Sequence, residues 1–185
     1  MSNRFVYGID SDNVMWDDLR FPASALRVGS ARPASEQSYR DGIVLSFASG
    51  LDNSVYFNAQ MPHGYKQGQD LTFHIHIILP VAGAGIAAEN VKFDFTYSWS
   101  YIGNSQPAST TITATRDVQN DNADTHYLMS IGTVLESNAS GTPGVSSMLI
   151  CSLTRDTGVG NNYGSAVYLM EADFHYEYML SLNRS

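Results

Sequence analysis

The sequence predicts an all-β protein, specifically a jelly-roll-type antiparallel β-sandwich. The first observation is an alternation of apolar and polar residues, clearest from Leu71 to Leu79 and from Val91 to Tyr101. A period of two is typical of strands with one buried face, because successive side chains point to opposite sides. The second is that connections rich in Gly, Asn and Ser separate these segments. The third is that no segment carries the apolar stripe of an amphipathic helix.

The alternation and the turn residues together define eight predicted strands. They are Ile43–Ala48, Asn53–Gln60, Leu71–Leu79, Val91–Tyr101, Ser109–Thr115, His126–Leu135, Val145–Thr154 and Ala166–Leu182. Eight strands joined by several long loops suit a jelly roll better than a tight meander. In the long last strand, strict alternation would place Tyr168, Met170 and Ala172 on one face, and Val167 and Leu169 on the other.

The chain is predicted to divide at residue 42. Residues 1–42 lack a sustained period and are interpreted as an extended N-terminal arm, whereas residues 43–185 form the sandwich domain. The arm holds large apolar side chains, among them Phe5, Val6 and Trp16, which a free arm would expose to water. We therefore expect it to dock on a neighbouring subunit, and deletion of residues 1–30 to leave the β-fold intact.

Composition argues against several classes of function. The net charge is −8, with ten basic residues scattered along the chain, so a nucleic-acid groove is not expected. Neither a secretory signal nor an apolar run of membrane-spanning length is present, which predicts synthesis in a cytoplasm and no membrane partner. The single Cys151 lies in an apolar segment and is predicted to be a buried, inert thiol.

The strongest candidate for a chemical site is the pair His74 and His76. Both project from the less apolar face of one predicted strand, and Gly68 precedes them with the spacing that opens the first cupin metal motif. The glutamate and the second motif of cupins are absent, and two histidines do not complete a metal site. His63 or His175 could complete it only if the fold brings them across. We therefore expect no tightly bound metal and no cofactor.

The remaining polar clusters have simpler interpretations. Asp117–Asp124 lacks the glycine and the closing glutamate of a calcium loop, and is predicted to be a solvated acidic loop. Glu171, Asp173 and Glu177 follow one strand face with His175 between them. Paired carboxylates can perform acid–base chemistry, but a polar strand face explains them as well. No nucleophile and base can be paired by spacing, so an enzyme is not predicted.

Several short segments resemble a group of tailed-bacteriophage virion structural proteins. They are Trp16-Asp17-Asp18-Leu19-Arg20, the turn Pro62-His63-Gly64-Tyr65-Lys66-Gln67-Gly68, the His74-x-His76 strand and Asp173-Phe174-His175-Tyr176. The resemblance implies a non-enzymatic jelly-roll subunit in the virion, commonly a trimeric decoration, cement or fibre-associated component. Its partners would be the major capsid protein or other virion proteins. The chain departs from the group at Ile77, where an aromatic residue is common.

The predicted function is therefore a capsid decoration or cement subunit. Seven residues are candidates for contact with another subunit or a partner: Trp16, Leu19, Arg20, His63, Tyr65, His74 and His76. One alternative is a carbohydrate-binding module of a phage fibre or spike, in which some of the eleven tyrosines stack on a host-surface glycan. A second alternative is a cupin-like metalloprotein that uses His74 and His76.

Overall fold

The computed structural model describes residues 14–160 and 162–179, which form eleven strands. These are β1 (Val14–Pro22), β2 (Arg27–Val28), β3 (Ser35–Tyr39), β4 (Gly42–Phe47), β5 (Ser54–Gln60), β6 (Leu71–Leu79), β7 (Asn90–Ser100), β8 (Thr110–Asp117), β9 (Thr125–Val134), β10 (Met148–Arg155) and β11 (Val167–Met179). The helical elements of this part of the chain are two 3₁₀ turns, Ala23–Ala25 and Glu136–Asn138. Neither is long or apolar enough to cross a membrane.

The strands form two antiparallel sheets with the connectivity of a jelly roll. In the first sheet the order is β3-β4-β11-β6-β9, with β1 also paired to β11; in the second it is β2-β5-β10-β7-β8. Counted from β4 to β11, the first strand pairs with the last, the second with the seventh, the third with the sixth and the fourth with the fifth. A long antiparallel ribbon has thus been rolled into a sandwich, which confirms the predicted fold class.

The alternating strands bury the faces that the sequence predicts. On β7, the residues Val91, Phe93, Phe95, Tyr97 and Trp99 are all buried. On β6, Leu71, Phe73, Ile75, Ile77 and Leu79 have no exposed surface, and they pack into the same core cluster. At its centre the rings of Phe73 and Phe95 stack with centroids 3.9 Å apart, and Phe174 from β11 lies 4.9 Å from Phe73. The two sheets are therefore joined by aromatic packing.

The last strand departs from strict alternation. Its register against β6 shifts between Leu169 and Glu171, where one residue is inserted as a β-bulge. Val167 and Leu169 before the bulge are buried, and so are Ala172 and Phe174 after it. The predicted division of faces is therefore wrong for the start of β11. Because of the bulge, Ala172 and Phe174 point into the core, and Glu171 and Asp173 lie on the opposite face of the sheet.

The predicted boundary at residue 42 does not describe residues 14–42. Here β1 pairs with β11 over nine residues, β2 with β5 and β3 with β4, so all three strands belong to the sheets of the sandwich. Phe5 and Val6 of the predicted arm lie outside the described residues.

The pattern of β1 hides its strand character because Asp17 stands on its inward side. Met15, Leu19 and Phe21 are partly buried on that side, whereas Trp16, Asp18 and Arg20 are exposed on the other. The carboxylate of Asp17 is tolerated there because the residue remains exposed to solvent and accepts a hydrogen bond from the hydroxyl of Tyr176 at 3.0 Å. A charge in the apolar series removes the sequence signal without removing the strand.

The position of β1 in the sheet can be tested with two substitutions on that strand. The ring of Phe21 lies 4.8 Å from Phe57 and 6.2 Å from Phe174, so Phe21→Ala should lower the free energy of unfolding by about 2–3 kcal/mol. Trp16 is 55% exposed, so Trp16→Ala should change it by less than about 1 kcal/mol. Urea denaturation measures both. Equal, small effects would indicate that β1 detaches in solution, as a separate arm would.

Candidate functional site

Titratable side chains form a continuous line across four strands on the outer face of the six-stranded sheet. We call this line the histidine row; it consists of His126 on β9, His76 and His74 on β6, Asp173 and His175 on β11, and Asp18 on β1. The register explains the line, because Asp173 lies directly opposite His74 and His175 lies directly opposite Asp18. Four of the chain's five histidines are therefore brought to one surface.

The centre of the histidine row is a compact group of two imidazoles and one carboxylate. His74 Nε2 lies 2.9 Å from Asp173 Oδ2, and His76 Nε2 lies 3.6 Å from the same oxygen. One ligand atom from each of these three residues falls within 4.8 Å of the others. Among the described residues this is the only group of three or more such side chains that could hold a metal ion.

The two ends of the row are held by further pairs. His76 Nδ1 and His126 Nε2 are 2.8 Å apart, so one of these nitrogens donates a hydrogen bond to the other. At the opposite end, His175 Nδ1 lies 2.6 Å from Asp18 Oδ1. The rings of His74 and His175 are 5.6 Å apart, so the row continues without a gap from β9 to β1.

Asp173 has the most unusual environment in the row. Its side chain is only 3% exposed, and its Oδ1 atom is buried without a hydrogen-bond partner. Burial raises the pKa of Asp173, and the neighbouring His74 and His76 oppose that rise. The carboxylate is therefore a buried acceptor that the protein satisfies only in part.

The neighbouring acidic residue Glu171, unlike Asp173, forms an ion pair with an arginine. Arg20 donates two hydrogen bonds to the carboxylate of Glu171, from Nε to Oε1 at 2.5 Å and from Nη2 to Oε2 at 2.9 Å. This pairing raises the pKa of Arg20, with the hydrogen bond as the main cause. Glu171 is thereby paired with a cation, whereas the ion-pair contacts of Asp173 are to His74 and His76.

A shallow depression of about 420 Å³ lies beside the centre of the row. Trp16 forms one wall, with its ring centroid 5.7 Å from that of His175. Leu128, Thr72 and Ser130 complete the lining with the two histidines. The surface thus combines an exposed indole with imidazole and hydroxyl groups.

The structure separates the predicted contact residues into three groups. Trp16, Arg20, His74 and His76 share the outer face of the six-stranded sheet. Leu19 and Tyr65 do not lie on that surface: Leu19 packs against the core, and Tyr65 is buried with its hydroxyl donating to the carbonyl of Gln69. Those two are therefore corrected from surface contacts to core residues. His63 is exposed but lies in a separate loop, where its Nε2 contacts Ser146 Oγ at 2.8 Å.

The acidic loop predicted at Asp117–Asp124 contains carboxylates that bond to other groups of the same chain. In the acidic loop, Arg116 holds Asp121 through a pair of bonds to its carboxylate, and Asp117 accepts the backbone N–H of Gln119. Cys151 is buried as predicted, and burial raises the pKa of its thiol well above the ordinary value. A thiol of this kind is a poor nucleophile.

Sequence reasoning brought together two of the three residues of the central group, His74 and His76, and did not predict that Asp173 joins them. The spacing of His74 and His76 predicted their common face, but Asp173 and His126 reach them only through pairing with distant strands. The available signal was the series of acidic residues on β11. It did not indicate which carboxylate lies opposite which histidine. The expectation of no metal rested on a missing third ligand, and Asp173 removes that reason.

By sequence, the chain matches no family description and no curated protein. Solved structures that are similar in fold include the following three. A family two carbohydrate esterase from Cellvibrio japonicus has 11% identity and a TM-score of 0.41 over 90% of this chain and 36% of its own. The xylan-binding module CBM15 has 9% identity and a TM-score of 0.45 over 86% and 96%. The infectious bursal disease virus Gx strain structure has 10% identity and a TM-score of 0.40 over 99% and 37%.

The chain thus spans about a third of the esterase and of the viral chain. Identities and TM-scores this low carry no argument about binding or activity, and the fold assignment rests on the sheet topology of this chain itself.

The incomplete bonding of Asp173 leads to a prediction for metal-free protein. Asp173→Asn keeps the shape of the side chain and removes a buried charge, so in the presence of EDTA at pH 7 we expect the variant to be about 1 kcal/mol more stable than the original. Urea denaturation measures the difference. Ser130→Ala, on the same face, serves as a control without a change of charge.

The sign of the pH dependence follows from the direction of the pKa shift. The pKa of Asp173 is higher in the folded protein than in the unfolded chain, so the folded protein binds this proton more tightly. The free energy of unfolding therefore falls as the pH rises from the ordinary carboxyl pKa of 3.8 to the raised value. The advantage of Asn is then complete above the raised pKa and shrinks as the pH is lowered to about 4. A variant that is less stable at every pH would contradict this account.

Proposed function

We propose that this protein is a non-enzymatic structural subunit of a tailed-bacteriophage virion, namely a capsid decoration or cement subunit that assembles through the outer face of its six-stranded sheet. The observation that carries the proposal is the convergence of the segments that resemble phage virion proteins. They are scattered over more than 150 residues of sequence, yet they form one continuous region of the fold.

The convergence is visible in the pairing of the strands. The segment around Trp16 to Arg20 is β1, which pairs with the part of β11 that contains Asp173 and His175. The His-x-His segment is β6, on the other side of β11. The turn that begins at Pro62 closes the group, because Gly64 accepts the backbone N–H of Met179 at 2.8 Å and Lys66 pairs with Glu177 at 2.8 Å.

The resembling segments on β1, β6 and β11 share one outer surface. This surface carries the histidine row and Trp16. Trp16 is 55% exposed in the single chain, and tryptophan is enriched among the residues that contribute most to binding at protein interfaces. Leu128, also exposed, lies across the depression from Trp16. An apolar pair framed by histidines and an arginine suits a protein partner, such as the major capsid protein or a second copy of this chain.

A trimer is the proposed state of the assembled subunit, and the virion is its proposed location. Both the trimer and the virion location are proposed from the resemblance to phage virion proteins. The jelly roll suits such a role, because its two sheets close a rigid core and leave one broad face of each sheet free to meet neighbours.

A second candidate is glycan binding by a virion fibre or spike, and one observation favours it. Trp16 stands beside a depression lined by His74, His175 and Ser130, an arrangement of aromatic and polar groups that can stack on a sugar ring and bond its hydroxyls. The abundance of tyrosine gives less support than the sequence implied. Of the ten tyrosines in the described part of the chain, five are buried: Tyr65, Tyr97, Tyr101, Tyr163 and Tyr176.

Matched substitutions on the two outer faces test the proposal. Trp16→Ala should weaken self-association or binding to virion particles by about 30-fold, the effect of losing a hot spot worth about 2 kcal/mol. Ile150→Ala on the opposite sheet removes a side chain of similar exposure, 51%, and should have little effect. Analytical ultracentrifugation measures the oligomer, and labelled antibodies locate the protein on virions by electron microscopy.

The outcomes separate the candidates. Absence of the protein from purified virions would overturn the structural role. Binding to a glycan array that Trp16→Ala abolishes, in a protein that stays monomeric, would favour the second candidate. Equal effects of Trp16→Ala and Ile150→Ala on assembly would remove the six-stranded sheet from the interface.

A further inference from the structure

We propose that His74, His76 and Asp173 bind one divalent first-row transition-metal ion, of the class of Zn²⁺ and Fe²⁺. Two imidazoles and one carboxylate form a recurrent donor set for these ions, which then keep one or more positions open. This inference does not depend on the proposed function, since a structural subunit and a glycan-binding module could each carry the ion.

The geometry needs only small movements of side chains. The three ligand atoms lie within 4.8 Å of one another, and ligands bound at about 2.1 Å in a tetrahedral arrangement are separated by about 3.4 Å. Rotation of His74 and His76 about their side-chain bonds can supply that contraction while the backbone stays in place. The side chains of His74 and His76 are 13% and 25% exposed, so an ion can reach them from the solvent.

The hydrogen bonds around His76 leave the site short of positive charge. If His76 Nδ1 donates to His126 Nε2, the lone pair of His76 Nε2 faces the carboxylate of Asp173 at 3.6 Å. If His126 donates, the proton on His76 Nε2 remains too far from that carboxylate for a hydrogen bond. The first arrangement places two acceptors opposite each other, and a bound cation would be coordinated by both.

Asp173 supplies the independent observation that points to a ligand. It is 97% buried, it forms no ion pair with a lysine or arginine among the residues described, and its Oδ1 has no hydrogen-bond partner. Buried carboxylates are normally paired with a cation or coordinate a metal. Arg20 lies opposite Asp173 in the register but is committed to Glu171.

The surroundings supply what a metal site needs beyond its ligands. His126 orients His76 through the nitrogen that would not bind the ion, as outer partners of metal-bound histidines do. Phe73 and Phe174, buried directly behind His74 and Asp173, fix the strands that carry them. His74 would bind through Nε2 with its proton moved to Nδ1, since Nε2 now contacts Asp173.

The experiment is a titration of the full chain, stripped with EDTA and dialysed, with Zn²⁺ and separately with Co²⁺. We expect one ion per chain, a saturable rise in melting temperature, and visible absorption bands from bound Co²⁺. Asp173→Asn and His76→Ala should each weaken binding by at least about 100-fold, and His126→Ala by about 10- to 100-fold. Asp173→Asn preserves shape, and circular dichroism verifies that each variant is folded.

His63→Ala is the matched control, because His63 is exposed in a separate loop and should not affect binding. Saturable 1:1 binding that depends on His76 and Asp173 but not on His63 supports the site. The proposal is overturned if neither ion binds stoichiometrically, or if the ions bind equally well to Asp173→Asn and His76→Ala. The titration is independent of assembly, so failure here leaves the virion proposal to its own test.

Discussion

The pairing of β11 with β6 is the constraint on which the core and the outer surface both depend. In this register Phe174 lies opposite Phe73 on the inner face, and one step along the strands Asp173 lies opposite His74 on the outer face. A slip of one residue would turn the aromatic rings to water and the ionisable groups into the core. The core therefore selects the register, and the register places the carboxylate beside the imidazoles.

Local pattern was sufficient to predict the strands whose two faces have distinct environments. For β6 and β7 the apolar positions of the sequence are buried in the structure. The same alternation placed His74 and His76 together on the outer face. These features depend only on residues close in sequence, where side-chain direction follows from the period of the strand.

Features that depend on distant pairing could not be predicted in this way. Asp17 breaks the apolar series of β1, and its compensation by Tyr176 comes from the other end of the chain. The bulge after Leu169 reverses the faces of β11, and nothing in the alternation marks it. Asp173 and Glu171 look equivalent in sequence, yet one is paired with an arginine and the other with two histidines.

Asp173 differs from three other carboxylates of the fold, Glu171, Asp121 and Asp156, in having no lysine or arginine partner among the described residues. Glu171 is matched by Arg20, Asp121 by Arg116 and Asp156 by Lys92, all at contact distances of 2.8 Å or less. Asp173 is the most buried of the four, and its ion-pair contacts are to the imidazoles of His74 and His76. Burying a carboxylate without a fixed cation costs free energy that an apolar residue at the same position would not. A sheet face that retains this cost, in a protein that pairs Glu171, Asp121 and Asp156 with cations, supports the proposed binding of a cation there.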